Sequence, residues 1–276
     1  MVAATGMDRP IREMTMAEKI PLSVAIITKD EAANLPGCLK SVAFARQIVI
    51  VDSGSTDGTL EIARDFGCDV FVEPWKGFGA QKQMAVDRCR EPWVLILDAD
   101  ERIPSETETA IRAIVSGGEG GTAGYSFPRK NFFQDRWIRH MGWWPDRITR
   151  LFRNGKGRMT DAAVHEAVDV SGRVVPLESP IEHYTESRLG EILKKIDRYS
   201  TLAAEEAFRQ GRKSSVWGAL ARAELTFVQD YVLRLGFLDG RQGLVLSVTD
   251  AVNKFFKYAK LSELNRQIDG SEEERK

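Results

Sequence analysis

The chain has 276 residues, 43% of them hydrophobic, with 39 Lys and Arg against 40 Asp and Glu and a formal charge of -1. That length buries a large core without disulfide or metal staples, and the composition is not that of a disordered chain. The charge balance excludes a protein whose main work is coating nucleic acid, although a local basic patch is compatible with it. Cys38, Cys68 and Cys89 lack metal-ligand spacing and read as small buried hydrophobes in a reducing compartment. Residues 1–20 scatter Asp8, Arg9, Arg12, Glu13, Glu18 and Lys19 along their length, without the apolar run of a signal peptide, and read as an extension. No stretch reaches the roughly 18 uncharged apolar residues of a spanning helix. The nearest, residues 219–238, is interrupted by Arg222, Glu224, Asp230 and Arg234, so a cytoplasmic protein, soluble or peripheral, is expected.

From residue 22 to about 114 short apolar runs alternate with helical stretches, the pattern of βα units around a parallel sheet. Strands are predicted at 22–27, 47–51, 69–72 and 93–97, and helices at 31–41, 59–66 and 80–89. The run 93–97 is apolar at consecutive positions, as in a strand covered on both faces, and it ends in Asp98-Ala99-Asp100-Glu101. After a Gly-rich stretch at 116–124, strands are predicted at 125–128, 148–152, 163–170 and 181–184 in a more irregular, mixed sheet. From 185 the chain turns helical, with Gly211 as a cap, a second helix from Val216 to Leu235 and a third over 244–261. The domain reading is an extension (1–20), a ligand-binding α/β half (21–124), a mixed subdomain (125–184), C-terminal helices (185–265) and a tail (266–276).

In open α/β sheets ligands bind beyond the carboxyl ends of the strands. Two carboxylates in Asp98-Ala99-Asp100, on chain that has just left a buried strand, are able to reach a divalent cation and through it a diphosphate; the alternative is a solvated strand end. Asp52-Ser53-Gly54-Ser55-Thr56-Asp57-Gly58 leaves the second strand through small and hydroxyl residues. They let backbone approach a ligand while Asp52 hydrogen-bonds a base or ribose. Asp57 fits loop ordering or helix capping. Gly77-Phe78-Gly79-Ala80-Gln81-Lys82 fails as a dinucleotide fingerprint, lacking the third glycine and the position after the first strand. It reads either as a loop turning Gln81 or Lys82 toward a nucleotide or phosphate, or as a plain helix start.

Taken in order, Thr28-Lys29-Asp30-Glu31-Ala32-Ala33-Asn34-Leu35, the Val51 to Thr59 block and Leu97-Asp98-Ala99-Asp100-Glu101 resemble glycosyltransferase family 2, the inverting nucleotide-sugar transferases of GT-A fold. The resemblance implies that Glu31 and Asp52, with Thr28, Ser53, Lys82 and Asp98, hold the donor. It implies further that Asp100 and Asp98 bind a divalent metal, Mg or Mn, at its diphosphate. Many members carry a second Asp where this chain has Ser53. Further blocks (Pro74 to Lys82, Ile138 to Asp146, Val164-His165-Glu166, Phe255 to Lys260) resemble the branch that builds the bacterial lipopolysaccharide inner core, best known for a β-1,4-glucosyltransferase acting on heptose. The implied donor is UDP-glucose. The implied acceptor is a lipid-linked saccharide at the cytoplasmic face of the inner membrane, and no nucleic-acid partner is implied.

Inversion needs a base opposite the leaving diphosphate. Asp146 is the first choice, behind Trp143 and Trp144, whose faces suit a sugar; Pro145 stands where the wider family has a Glu, and Glu166 is the competitor. A salt bridge to a neighbouring arginine is the alternative role for Asp146. His165 and His183 read as structural or acceptor-binding groups. Residues 129–158 hold nine Lys or Arg against two Asp, and Arg150 and Arg153 are the chosen phosphate ligands among them. In the last helix Val245, Val248, Val252, Phe255, Phe256 and Ala259 share a face beside Lys254, Lys257 and Lys260. Such a stripe suits an anionic bilayer or packing against the domain. Two rivals remain: a nucleotidyltransferase, which needs a phosphate-gripping loop that Thr28 to Glu31 does not supply, and a non-catalytic sugar-binding relative, against which Asp98, Asp100 and Asp146 speak.

Overall fold

The computed structural model describes residues 18–117, 120–160, 167–185 and 188–273, the stretch 268–273 by its backbone alone. Its first half alternates β1 (Ile20–Thr28), α1 (Leu35–Ser41), β2 (Ala45–Asp52), α2 (Thr59–Asp65), β3 (Asp69–Val72), α3 (Phe78–Val86) and β4 (Trp93–Asp98). β3, β2, β1 and β4 lie side by side in that order, all parallel. Strand residues alternate between two covered faces. Val24, Ile26, Ile50, Leu95 and Leu97 pack with Leu35 and Leu39 of α1, while Ala25, Val49, Val51, Val94 and Ile96 pack with Ala85 and Val86 of α3. This double burial is why the strands read as continuous apolar runs. The chain leaves β1 toward β2 on one side, and β4 adds on the other. The gap between the ends of β1 and β4, where Ile27 stands beside Asp98, is therefore the topological switch point.

The second half builds onto β4. After β5 (Glu101–Arg102) and α4 (Ser105–Ser116) come β6 (Thr122–Phe133), β7 (Arg136–Trp137), β8 (Asp146–Arg153), β9 (Gly157–Met159), β10 (Val168–Val170), β11 (Arg173–Pro176) and β12 (Ile181–Tyr184). β8 runs antiparallel to β4 and is flanked in turn by β6, β12 and β5, so among the described residues ten strands make one mixed sheet. β6 crosses the expected subdomain boundary at 124/125 without a break. The expected strand at 163–170 appears only as β10, residues 161–166 lying outside the described ones.

The helix expected over 31–41 begins instead at Leu35. Asp30 takes a positive φ of 54°, and the amides of Asp30, Glu31 and Ala32 donate to Ser55 Oγ, Thr59 Oγ1 and Asp57 Oδ2 of the neighbouring loop, so this stretch is tied to that loop as a turn before the helix begins. α5 (Leu189–Arg209), α6 (Val216–Phe227) and α7 (Gly240–Glu273) close the chain. α6 does not continue to 235 as a regular helix. Residues 228–233 widen into a π-helical turn, Leu235 (φ 59) stops it, and a 3₁₀ turn (Gly236–Asp239) leads into α7. α7 is seated on the sheet through Phe133, Ile138, Met141 and Leu246, and Asp239 accepts from the amides of Arg139 and His140. Lys260 is not part of an open basic strip, because its Nζ donates to Asp197, Ser200 and Thr201 of α5. No described helix is long and apolar enough to cross a membrane.

The tuck of the 3₁₀ turn against α7 requires Gly243, since a Cβ there would fall on the carbonyl oxygen of Gly236. Gly243→Ala is expected to cost about 1–3 kcal/mol by overpacking. Urea denaturation should read this loss, and faster amide exchange should be confined to residues 228–245.

Candidate active site

β4 ends at the switch point, and the antiparallel register of β8 carries Arg150 to its side. Arg150 Nη2 donates to Asp98 Oδ2 at 2.6 Å and to Glu101 Oε1 at 2.8 Å, and Lys82 Nζ of α3 reaches Asp98 Oδ1 at 2.7 Å. Glu101 is fully buried and also faces Arg129 Nη1 at 3.5 Å. Arg129 in turn holds Asp146 Oδ2 through Nε at 2.8 Å and Nη2 at 2.5 Å. The result is an alternating ladder, Lys82–Asp98–Arg150–Glu101–Arg129–Asp146, laid across β4, β8 and β6. Burial alone would favour a neutral Asp98, but the charges and hydrogen bonds of Arg150 and Lys82 outweigh it and hold the carboxyl far below its usual range. Burial likewise opposes the charge on Arg150, and Asp98 and Glu101 outweigh it, pushing its pKa up.

A second chain of contacts runs from Asp146 back to Asp100. Asn131 Nδ2 donates to Trp143 O at 3.1 Å and faces Asp146 Oδ2 at 3.5 Å, which turns its Oδ1 toward His183 Nδ1 at 2.7 Å. His183 Nδ1 is thereby assigned as the donor to Asn131, an assignment inferred from this network. His183 Nε2 lies 3.3 Å from Asp100 Oδ2. A carboxylate oxygen and an imidazole nitrogen side by side are groups that together can hold a cation, with the imidazole oriented from behind by Asn131. Among the described residues no three His, Cys, Asp or Glu side chains cluster as a ready-made metal cage. Asp100 with His183 suits an ion of the Mg or Mn type, which takes its remaining ligands from diphosphate and water. Asp98, with both oxygens engaged, fits this role less well than Asp100.

These groups border a cavity of about 540 Å³, lined by Thr28, Lys29, Glu31, Ser53, Trp75, Phe78, Lys82, Asp98, Asp100, His183 and Arg198. Five of the six residues expected at a donor are therefore here. The sixth, Asp52, is fully buried behind them. Its carboxylate accepts from Thr28 Oγ1, Gly54 N, Ser55 N and Ser55 Oγ, so it shapes the loop that forms the cavity wall. Asp57 orders the same loop through Ala32 N and Thr59 N. Glu31 is half-buried; that burial, reinforced by the charge of Asp100 and opposed by Asn34, pushes its carboxyl up. Trp75 and Phe78 meet edge to face at 4.7 Å and form an aromatic rim.

Not every expected residue gathers at the cavity. Arg150 stands in the ladder, below the surface. Arg153 pairs in register with Trp93, at the opposite end of β4 from Asp98, and stacks over that indole at 4.6 Å. Trp143 packs on the Phe133 cluster, and Trp144 meets Trp137 edge on at 5.1 Å. His165 and Glu166 lie outside the described residues. Sequence reading missed Trp75, Phe78 and Arg198, and the pairing of His183 with Asp100. The last was legible only as a histidine on a strand that no motif connected to the acidic block.

The sequence pattern described as "Glycosyl transferase family 2" matches residues 23–168. The lipopolysaccharide core biosynthesis glycosyltransferase LpsC of Rhizobium meliloti (strain 1021) is 30% identical over 258 residues, covering 89% of this chain and 93% of its own. An uncharacterized glycosyltransferase of Rickettsia bellii (strain RML369-C) is 30% identical over 271 residues, covering 89% and 87%. Among solved structures, the mannosyltransferase PcManGT of Pyrobaculum calidifontis, in complex with GDP-Man and Mn2+, covers 89% of this chain and 88% of its own at 16% identity and a TM-score of 0.49. The S. aureus TarS fragment in complex with UDP-GlcNAc covers 89% and 91% at 14% identity and a TM-score of 0.44.

Because the folded-state pKa of Asp98 is depressed, its stabilisation is complete above the unfolded value of about 3.9 and is lost only as pH falls through the folded one. Asp98→Asn is expected to cost about 3 kcal/mol, the penalty for leaving buried cations short of a partner. In urea titrations the gap to the wild type should hold from pH 7 to 5 and narrow only below about pH 4; a gap that closes by pH 5 would contradict the assignment.

Proposed function

The chain belongs to glycosyltransferase family 2, and we propose that it moves glucose from UDP-glucose to a heptose of nascent lipopolysaccharide core, with inversion at the anomeric carbon. The observation that carries this reading is the ladder at the switch point, which sets a donor-sized cavity and a carboxylate, Asp146, on the two sides of one charged frame. The name of the Rhizobium relative supports a lipopolysaccharide-core acceptor. The inner-core blocks support glucose and heptose.

In this reading Thr28, Ser53 and Glu31 bind the nucleoside beside the loop that Asp52 holds. Lys82, a buried cation whose ammonium is held by Asp98, faces the diphosphate. Asp100 and His183 hold the divalent ion, which when bound offsets negative charge as the diphosphate leaves. The hydrogen bonds to Asp146 among the described residues fall on Oδ2. Oδ1 accepts the proton of the attacking hydroxyl as that oxygen bonds to the anomeric carbon, and the electron pair of the broken C–O bond departs with the nucleoside diphosphate. Arg129 fixes the carboxylate's orientation, and Trp143 and Trp144 flank the loop that delivers it.

Contact with the inner membrane is supported by the far side of α6. Thr226, Gln229, Asp230 and Arg234 line an open cleft shared with α5 and α7, while Leu225 (69% exposed), Val228, Val232 and Leu233 (73% exposed) are exposed outside it, as is Trp217 (80% exposed). A helix facing water has the reverse order. Lys213, Arg222 and Arg241, exposed in the same C-terminal region, add the positive charge that an anionic bilayer surface favours.

Asp100→Ala is expected to remove transfer and metal-dependent UDP binding with little change in melting temperature; retained turnover would refute the metal role. Asp146→Asn should keep UDP affinity and lower kcat by at least about 100-fold, the usual worth of a general base, whereas the same phenotype in Glu166→Gln alone would make Glu166 the base. On anionic vesicles of phosphatidylglycerol and phosphatidylethanolamine the protein should float. Leu225→Glu with Leu233→Glu should weaken that binding more than tenfold, since each buried leucine contributes about 1.5–3 kcal/mol; equal flotation would contradict the membrane face.

A further inference from the structure

A second cavity opens where the donor cavity ends. It holds about 1460 Å³ between α5, α6 and α7, beyond the roughly 300–1,000 Å³ of pockets for small molecules. Phe78 belongs to the walls of both cavities, and consecutive residues of α5 divide between them, Arg198 to the first and Tyr199 to the second. The two spaces therefore adjoin at Phe78, and a molecule in one reaches the edge of the other.

Its charges differ from those of the first cavity. Two of its cations are matched within the wall, Arg209 by Glu206 at 2.6 Å and Arg234 by Asp230 at 3.1 Å. Arg212, Lys254 and Lys257 also line it; among the described residues no carboxylate lies within ion-pair distance of them, while the charge of Lys254 acts on Asp250 one turn away. Lys257 lies over the ring of Tyr258 at 5.6 Å. Asp250, Asn253 and Tyr199 line it too. A space of this volume that brings together three cations, an aromatic ring and acceptors for hydroxyl groups is suited to an anionic oligosaccharide.

We infer that this cavity binds the acceptor as an extended anionic saccharide, its charged groups held by Arg212, Lys254 and Lys257 and its terminal sugar resting on Tyr199 and Phe78. The inference rests on the transferase reading and adds to it the place and charge of the acceptor. The anion is either a phosphate substituent or a sugar-acid carboxylate, two sources that the experiment separates.

The probe is deacylated, phosphorylated inner-core oligosaccharide ending in heptose, titrated calorimetrically into the full-length protein without donor, before and after phosphatase treatment. Arg212→Gln with Lys254→Gln should weaken binding of the intact saccharide at least tenfold while UDP affinity stays within twofold. Ala203→Trp, which fills the cavity from its wall, should abolish binding of both forms. Phosphatase treatment that lowers wild-type affinity but not that of the double variant identifies phosphate as the anion. Treatment without effect, with the variant still weakened, identifies the carboxylate. Failure of the wild type to bind, or unchanged affinity in both variants, overturns the inference; if transfer to the same saccharide continues, the transferase reading survives it. Binding in the cavity without any transfer would instead sink the acceptor assigned under the proposed function and leave the site standing.

Discussion

Asp98 is the point from which the rest of the site is fixed. Its carboxylate sits at the end of a strand buried on both faces, and two buried cations from different directions, Lys82 of α3 and Arg150 of β8, converge on it. A charge withdrawn from water needs partners of this kind, and each partner creates the same need. Arg150 is therefore matched by the fully buried Glu101, Glu101 faces Arg129, and Arg129 ends on Asp146 near the surface. The ladder converts a local requirement at one strand end into a fixed relation between the cavity at the switch point and Asp146. No large hinge is needed to bring Asp146 to the frame on which Asp100 stands, because Asp146 opens β8 and Asp100 lies in the turn between β4 and β5 of the same sheet.

The first half of the fold was readable because its determinants are local. The doubly buried strands are continuous runs of Val, Ile and Leu, and the turns that follow them carry small residues and acids in short blocks. The start of α1 was misplaced because the amides of Asp30, Glu31 and Ala32 are claimed by side chains some 25 residues away, information that no window around residue 31 contains. The same limit hid the partnership of His183 with Asp100, which depends on β12 lying beside both β6 and β5. Arg150 and Arg153 looked equivalent in a basic stretch. Antiparallel register separates them: one stands beside Asp98 in the ladder, while the other is opposite Trp93 at the far end of the strand.

The C-terminal helices follow a different logic. Apolar spacing located them, but spacing does not say which side of a helix meets water. Over residues 225–234 Thr226, Gln229, Asp230 and Arg234 line an open cleft while Leu225 and Leu233 are exposed outside it, an arrangement that only the packing of α5 and α7 makes visible. The lysine stripe of α7, which in sequence resembles a membrane contact, is partly consumed by α5 through Lys260. This segment thereby borders two environments, a polar cleft that shares Phe78 with the cavity at the switch point and an apolar outer face.

The account stands or falls on the proposal that Asp100 and His183 share a cation, with Asn131 setting the ring. The direct measurement is nuclear magnetic resonance of the imidazole nitrogens, with Mn2+ added in the presence of UDP. The protein has three histidines, of which His140 is tied to Asp239 at the base of α7. The account predicts that His183 Nε2 broadens beyond detection at an Mn2+ level that leaves His140 sharp, and that Asp100→Ala removes the effect. An unperturbed His183, or equal broadening of His183 and His140, would contradict it.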